Sequence, residues 1–290
     1  MNETVLLWTL ASTVSAGLVI FVQKVVAEEG RSSAFNGLMM YGGSGVMAVI
    51  IFLFALKTFP TDWPLIALFG LSAGAVHGIG NFLRIESLKY IDGVIFFPLN
   101  KMLGPLLVVV GGVALFHDKL TLQQYIGIAL SLVVPLLLLS AAEQRRQKNL
   151  RSGLQLLLFS TIFSAGSLLL GKQGLLSGQV VLMLCMSQTA GTIASAAILV
   201  HKHGAGLSMI THANKRDVYL GILAAIFTFV SAFTLYEALA DGLVSLVYVI
   251  QAHYILIPIV LSVWWYREHI NFRKFAAVAI SFAAIALLAI

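Results

Sequence analysis

Residues Gly93–Phe116 read GVIFFPLNKMLGPLLVVVGGVALF, an apolar run with a single cation, Lys101, near its middle. The run is long enough for an α-helix to cross the roughly 30 Å hydrocarbon core of a bilayer. A charged side chain at that depth is costly, and where it occurs it usually faces a cavity on a substrate or ion path. The run therefore predicts a membrane-spanning helix whose charge serves a function.

Composition extends this prediction to the whole chain. Hydrophobic residues make up 59% of the 290 residues and charged residues 10%, whereas a soluble domain carries roughly 25% charged residues. The net charge of +6 comes from basic residues between apolar runs, which membrane topology explains better than nucleic-acid binding. The one cysteine, Cys185, lies in an apolar run, which excludes a disulfide framework and a cysteine metal site. We expect a polytopic protein in a lipid bilayer, with no nucleic-acid partner, no metal and no cofactor.

Ten apolar runs, each close to the roughly 20 residues that a membrane helix needs, follow one another along the chain. They lie at 4–26, 34–56, 63–86, 93–116, 121–141, 153–172, 178–200, 218–239, 242–265 and 271–290. Short motifs recur in order at an offset of about 150 residues, pairing 15–17 with 164–166, 86–93 with 237–242, and 116–119 with 266–269. We predict a duplicated chain with a first repeat at 1–142, a basic linker at 143–152 and a second repeat at 153–290.

The odd number of spans in each repeat determines how the halves are arranged. After five crossings the second half enters the membrane from the opposite side, which gives an inverted repeat with a pseudo-twofold axis in the membrane plane. The predicted fold is therefore an all-α polytopic membrane protein, with ten transmembrane helices in an inverted 5+5 repeat around a central cavity. Such a scaffold has two related open states, one toward each side, and favours alternating access.

Lysine and arginine residues suggest an orientation. Most of them fall in the turns after the odd-numbered spans, and by the positive-inside rule these turns face the cytoplasm. Both termini would then lie outside. We expect an integral protein of a bacterial cytoplasmic (inner) membrane.

Several features together resemble a known family. They are the five-plus-five spans, a small-residue first span in each half that ends near Lys24 or Lys172, and a proline-containing fourth span that leads to an acidic turn, at 117–121 and at 267–271. The chain resembles the drug/metabolite transporter superfamily, specifically proteins with two tandem EamA-type domains. The resemblance implies a secondary active transporter of small metabolites, with a cavity lined by both halves. Members more often have cytoplasmic termini, which opposes the orientation derived from the charges.

A candidate substrate site surrounds Lys101. At the offset of about 150 residues Lys101 corresponds to Gln251, so both should lie near the axis at mid-depth. Neighbouring polar residues are Asn100, Tyr248, His253 and Tyr254. In one interpretation Lys101 attracts an anionic group of a small-molecule substrate, while the amide and imidazole groups orient it.

The alternative interpretation is a structural lysine that reaches a carboxylate, either Glu86 or Glu237. If Lys101 has no such partner, it could exchange a proton during transport, so coupling to a proton or another ion is a further hypothesis. A Lys101→Arg variant with full uptake and full pH dependence would contradict the proton role.

The third span has a polar face formed by His77, Asn81 and Arg84, which helical spacing places together. His77 could line the cavity or make an interhelical hydrogen bond. Arg84 and Glu86 could form a gate at the cytoplasmic end, with Glu237 as the counterpart of Glu86, or could anchor their helix at the membrane interface.

Helix breaks are a further candidate feature of the site. Each proline removes a helix hydrogen bond, and a broken helix can expose backbone groups to a cavity, although a simple kink is equally compatible with the sequence. The candidate positions are Pro98, Gly104, Pro105 and Pro258.

The function that these observations favour is secondary active transport of a small polar metabolite, such as an amino acid, organic acid, sugar or derivative. No nucleotide-binding loop is present in the sequence, so an ion gradient or exchange would supply the energy. The alternatives are a non-transporting membrane scaffold or subunit, and an intramembrane enzyme acting on lipid. The sequence has no catalytic motif for such an enzyme. One copy can enclose a cavity, so a monomer suffices and a dimer stays open.

Overall fold

A computed structural model describes residues 1–31, 33–55, 60–87, 90–91, 93–138, 150–203, 214–266 and 272–290, and every regular element in these ranges is helical. The helices are α1 Glu3–Glu28, α2 Ser33–Ala55, α3 Trp63–Ser87, α4 Gly93–Phe116, α5 Leu122–Leu138, α6 Leu150–Leu175, α7 Val180–His203, α8 Lys215–Asp241, α9a Val244–Gln251, α9b Leu256–Tyr266 and α10 Phe272–Ala289. A 3₁₀ turn, Ala252–Ile255, joins α9a to α9b. Most of the predicted linker at 143–152 and the turn at 267–271 lie outside the described residues.

The helices are suited to a membrane. Seven of the described helices are long and apolar enough to span a bilayer, and three shorter apolar segments complete the ten predicted spans. Large apolar side chains point outward, including Phe54 at 86% exposure and Phe272 at 83%. An apolar surface of this extent is expected when lipid surrounds the protein. The structure confirms the all-α polytopic fold.

The contacts between helices show how the two halves fit together. α3 packs on α6 and α7, while α8 packs on α1 and α2; α4 contacts α6, while α9a and α9b contact α1. α2 also packs on α7, α4 on α9a, and α5 on α10. If each helix of α1–α5 is exchanged with its counterpart in α6–α10, the same helix pairs are in contact. The predicted pseudo-twofold axis requires this symmetry of contacts.

Glycines allow the two halves to approach closely. A Cβ added to Gly70 of α3 would lie 2.7 Å from Cβ of Met186 in α7, and one added to Gly221 of α8 would lie 2.8 Å from Cβ of Met39 in α2. These are symmetry-related contacts. Between helices in lipid the hydrophobic effect provides little attraction, so association depends on such close van der Waals packing.

The ninth span, and not the fourth, contains the interruption. α4 continues as one α-helix through Pro98, Gly104 and Pro105, so of the two alternatives, a broken helix and a simple kink, the broken helix is wrong there. Membrane helices tolerate internal proline because neighbouring groups satisfy the freed carbonyls. The 3₁₀ turn Ala252–Ile255 lies just before Pro258, whose ring opposes the carbonyl four residues earlier and disfavours a regular helix there.

Gly74→Ala should destabilise the fold, because its new Cβ would overlap the backbone carbonyl oxygen of Ser187. Overpacking of this kind costs about 1–3 kcal/mol. Gly166→Ala is the matched control, since a Cβ at Gly166 meets nothing within 4 Å. The melting temperature of the purified protein in detergent should fall for the first variant only. Equal melting temperatures for both variants would contradict the proposed helix contact.

Candidate functional site

A cavity of about 250 Å³ lies between the two halves, with walls from α1–α4, α6–α8, α9a and the 3₁₀ turn. Its wall combines polar and aromatic side chains with apolar ones. The predicted site residues that line it are His77, Asn81, Arg84, Asn100, Lys101, Tyr248, Gln251 and Tyr254. The structure thus brings together residues from the third, fourth and ninth spans.

Three predicted residues lie elsewhere. Glu86 and Glu237 are not among the described residues that line the cavity. His253 lies in a narrow crevice behind Lys101, beside Pro105. The Nδ1 atom of His253 is 2.9 Å from the carbonyl oxygen of Val249, so this ring bonds to its own helix.

Lys101 is buried, with 8% of its surface exposed. Its Nζ lies 3.9 Å from the ring centroid of Tyr254, a cation–π geometry that attracts the ammonium group to the ring face. None of the ion pairs in the described part of the chain involves Lys101. The structure therefore does not contain the structural pairing with Glu86 or Glu237.

Arg84 is positioned by a chain of side chains. Its Nη2 donates to Oδ1 of Asn81, and Nδ2 of Asn81 donates to the hydroxyl of Tyr41. The ring of Tyr41 meets His77 edge-on, with centroids 6.1 Å apart. This chain fixes the orientation of the Asn81 amide and holds the guanidinium at the cavity wall.

Two amides link the halves at mid-depth. Asn100 Nδ2 donates to Thr161 Oγ1 at 2.8 Å, and Gln251 Nε2 donates to Ser12 Oγ at 2.9 Å. Each bond joins the fourth helix of one half to the first helix of the other. By their contacts Gln251 and Asn100 are therefore counterparts, although the numbering offset pairs Gln251 with Lys101.

Sequence reasoning missed other lining residues, among them Gln188 and Thr228. In the described structure Gln188 Oε1 and Thr228 Oγ1 are buried and make no hydrogen bond, so both are available to a ligand. Gln188 lies inside an apolar run, which is the same signal that identified Lys101. Thr228 gave no comparable signal, because threonine is common in membrane helices.

At one end of the bundle, Lys172 and Asp118 satisfy backbone groups. Lys172 Nζ donates to the carbonyl of Leu239 and, at 3.1 Å, to that of Gly242, around the end of α8. Asp118 Oδ2 accepts from the backbone N–H of Ser245 at 2.9 Å, at the start of α9a. Helix termini leave such groups unsatisfied, so the lysine and the acidic turn have a structural role here.

At the other end, four charged residues connect the end of α1 to the start of α8. Arg216 Nη2 lies 2.7 Å from Glu29 Oε1, and Arg31 Nη1 lies 2.9 Å from Asp217 Oδ1. The hydrogen bond from Arg216, followed by that from Arg31, lowers the pKa of Glu29 from 4.5 to about 2.

The comparisons with known proteins agree with this geometry. A model described as the EamA-like transporter family matches residues 4–140 and again residues 151–290, which confirms the resemblance derived from the sequence. A solved structure described as "Crystal structure of protein" is 15% identical, with a TM-score of 0.73 and 98% of each chain covered. At this identity the likeness shows the fold alone. No curated protein matches the chain.

Lys172 and Lys101 should respond differently to loss of charge. Both are 8% exposed, but only Lys172 serves several backbone carbonyls, and a buried hydrogen bond to a charged group is worth roughly 1.5–3 kcal/mol. Lys172→Met should lower the melting temperature by several degrees, while Lys101→Met should change it little. A larger loss for Lys101→Met would show that Lys101 is structural.

Glu29 should stabilise the fold at neutral pH and should lose this contribution in acid. A lowered pKa stabilises the fold above the unfolded-state pKa near 4.5, and this contribution is lost as pH falls through about 2. The difference in melting temperature between native protein and Glu29→Gln should thus be constant from neutral pH to about 5 and shrink below about 4.5. High salt should reduce it, since the pairs are exposed. A difference that grows in acid would contradict this assignment.

Proposed function

The chain belongs to the EamA-like transporter family, within the drug/metabolite transporter superfamily, and we propose that it is a secondary active carrier of a small polar metabolite. The observation that carries the proposal is the polar cavity between the two halves, at mid-depth in an otherwise apolar bundle. In transporters built from inverted repeats, substrate sites lie at the repeat interface near the bilayer midplane.

Symmetry-related contacts support alternating access. Ser12 Oγ donates to the carbonyl of Ser231 at 2.9 Å, which joins α1 to α8. Ser160 Oγ donates to the carbonyl of Gly80 at 2.9 Å, which joins α6 to α3 in the related position. Two similar interfaces flank the cavity, so small rotations of one half against the other can open either side. In this proposal the moving units are residues 1–142 and 153–290, with 143–152 as the linker.

The cavity favours a small polar substrate with an anionic group. Its volume of about 250 Å³ is below the roughly 300–1,000 Å³ typical of pockets for drug-sized ligands. Lys101 would attract the anionic group, and the ring of Tyr254 would pack beside it. Asn81, Gln188 and Gln251 offer neutral polar groups to the rest of the molecule, within the size range of amino acids, organic acids and sugar derivatives.

An ion gradient or substrate exchange would supply the energy, since the sequence contains no nucleotide-binding loop. Lys101 is the candidate for coupling to a proton or another ion, because it is a buried ionisable side chain at the wall of the cavity. We place the carrier in a bacterial cytoplasmic membrane, with the Glu29–Asp217 charge cluster on the cytoplasmic side by the distribution of basic residues.

Lys101→Ala should abolish transport without reducing the amount of protein in the membrane. The measurement is uptake of radiolabelled amino acids, organic acids and sugar phosphates into proteoliposomes, with protein quantified by immunoblot. Lys119→Ala is the matched control, because Lys119 is exposed and outside the described cavity wall. Lys101→Arg tests coupling, since full uptake with unchanged pH dependence would argue against a proton role. No uptake of any compound by the native protein would contradict the carrier proposal.

A further inference from the structure

We propose that the cavity selects substrates with two negative charges, namely small dicarboxylates or phosphate monoesters, and that Lys101 and Arg84 together bind the anionic oxygens. The inference rests on the carrier function proposed above and specifies its substrate. The inference follows from the side chains of the cavity wall, whose positive charges are not matched by negative charges among the described residues.

Both cations are held at the wall of the same cavity. Lys101 is fixed against the ring of Tyr254, and Arg84 is oriented by Asn81, whose amide is in turn held by Tyr41. None of the ion pairs among the described residues includes either cation. Each therefore presents a positive charge to the space between the halves.

Among the described residues of the wall, no carboxylate offsets these charges. Neither aspartate nor glutamate occurs among the described residues that line the cavity. Glu29 and Asp217 pair with arginines at one end of the bundle, and Asp118 accepts from the backbone of Ser245 at the other. The described wall therefore carries two positive charges, and its other residues are neutral polar or apolar.

The positive charge of the wall should determine which substrates bind, because closure of the cavity excludes the water that solvates it. While the cavity is open, water solvates both cations, but removal of a charge from water is unfavourable unless an opposite charge compensates it. A substrate with one negative charge would leave one cation uncompensated in the closed cavity, and a cationic substrate would increase the imbalance. A substrate with two negative charges makes the closed cavity neutral, so it should be bound preferentially.

The two cations suit different contacts. The planar guanidinium of Arg84 can donate two parallel hydrogen bonds to a carboxylate or phosphate, whereas the ammonium of Lys101 acts as a compact charge with three donors. The orphan atoms Gln188 Oε1 and Thr228 Oγ1 would orient the connecting part of the molecule. Both substrate classes share this chemistry, and the experiment distinguishes them.

Matched ligands test the preference in purified protein in detergent. Succinate is compared with its monoamide succinamate, and glycerol 3-phosphate with glycerol, through the ligand-dependent rise in melting temperature. In the native chain the more highly charged member of at least one pair should bind at least tenfold more tightly. Whichever pair responds identifies the class. Equal stabilisation within both pairs, or no stabilisation by succinate and glycerol 3-phosphate, would overturn the inference.

Variants test which residues are responsible. Lys101→Met and Arg84→Gln should each reduce the affinity for the dianion at least tenfold and bring the preference over its matched analogue close to one. Lys119→Met should retain the native preference, since Lys119 lies outside the cavity wall. A native-like preference in both cavity variants, with native melting temperatures in the absence of ligand, would overturn the inference.

Uptake into proteoliposomes separates this inference from the carrier proposal. Transport of a monoanion or a neutral amino acid that succinate and glycerol 3-phosphate do not inhibit would support a carrier and overturn the dianion site. Tight binding of a dianion that depends on both cations, without flux of that compound, would support the site and overturn the carrier proposal. Flux of the same dianion that both substitutions abolish would support both.

Discussion

Hydrocarbon gives polar groups no partner, so many polar side chains of this bundle bond either to a carbonyl of their own helix or across the interface between the two halves. Asn100 bonds to Thr161, Gln251 bonds to Ser12, and Ser12 also bonds to the backbone of Ser231, in each case across the repeat interface. Small residues on the helices let the backbones approach closely enough for these bonds. The same interface therefore provides both the cohesion of the bundle and the polar wall of its cavity.

The scaffold is symmetric, but the charges on it are not. Among the described residues of the cavity wall, the two cations Lys101 and Arg84 both belong to the first half. The second half contributes hydroxyl groups, amides and tyrosines, with Gln251 as the contact counterpart of the neutral Asn100. Duplication thus explains the two related interfaces, α1 with α8 and α6 with α3. The charges of the cavity wall, in contrast, come from residues that the two halves do not share. A substrate that bridges the cavity would contact charge on one side and neutral polar groups on the other.

Hydropathy was sufficient to predict ten spans, because their number depends on the length and order of apolar runs, and the motifs that recur in order predicted the duplication. Rotation of a helix about its axis was harder to predict. His253 and Tyr254 are adjacent, yet Tyr254 lines the cavity and His253 bonds to Val249 behind it. In lipid both faces of a helix are apolar, so the sequence contains little periodic signal that distinguishes them. The same limit hid Thr228. Of the candidate break positions, all of them described, Pro98, Gly104 and Pro105 lie inside a continuous α4, whereas Pro258 follows the 3₁₀ turn Ala252–Ile255.

Lys101 and Lys172 show why burial alone does not reveal the role of a membrane charge. Both are 8% exposed in long apolar helices. Lys172 lies beside the end of α8, where free carbonyls compensate its ammonium group permanently, so its charge stabilises one arrangement of helices. Lys101 lies in the middle of α4, where most backbone carbonyls are already used by the helix, and an aromatic ring is the contact that it makes. Its charge therefore depends on water or on a ligand for compensation, and a charge whose partner changes as the cavity opens and closes is suited to a carrier.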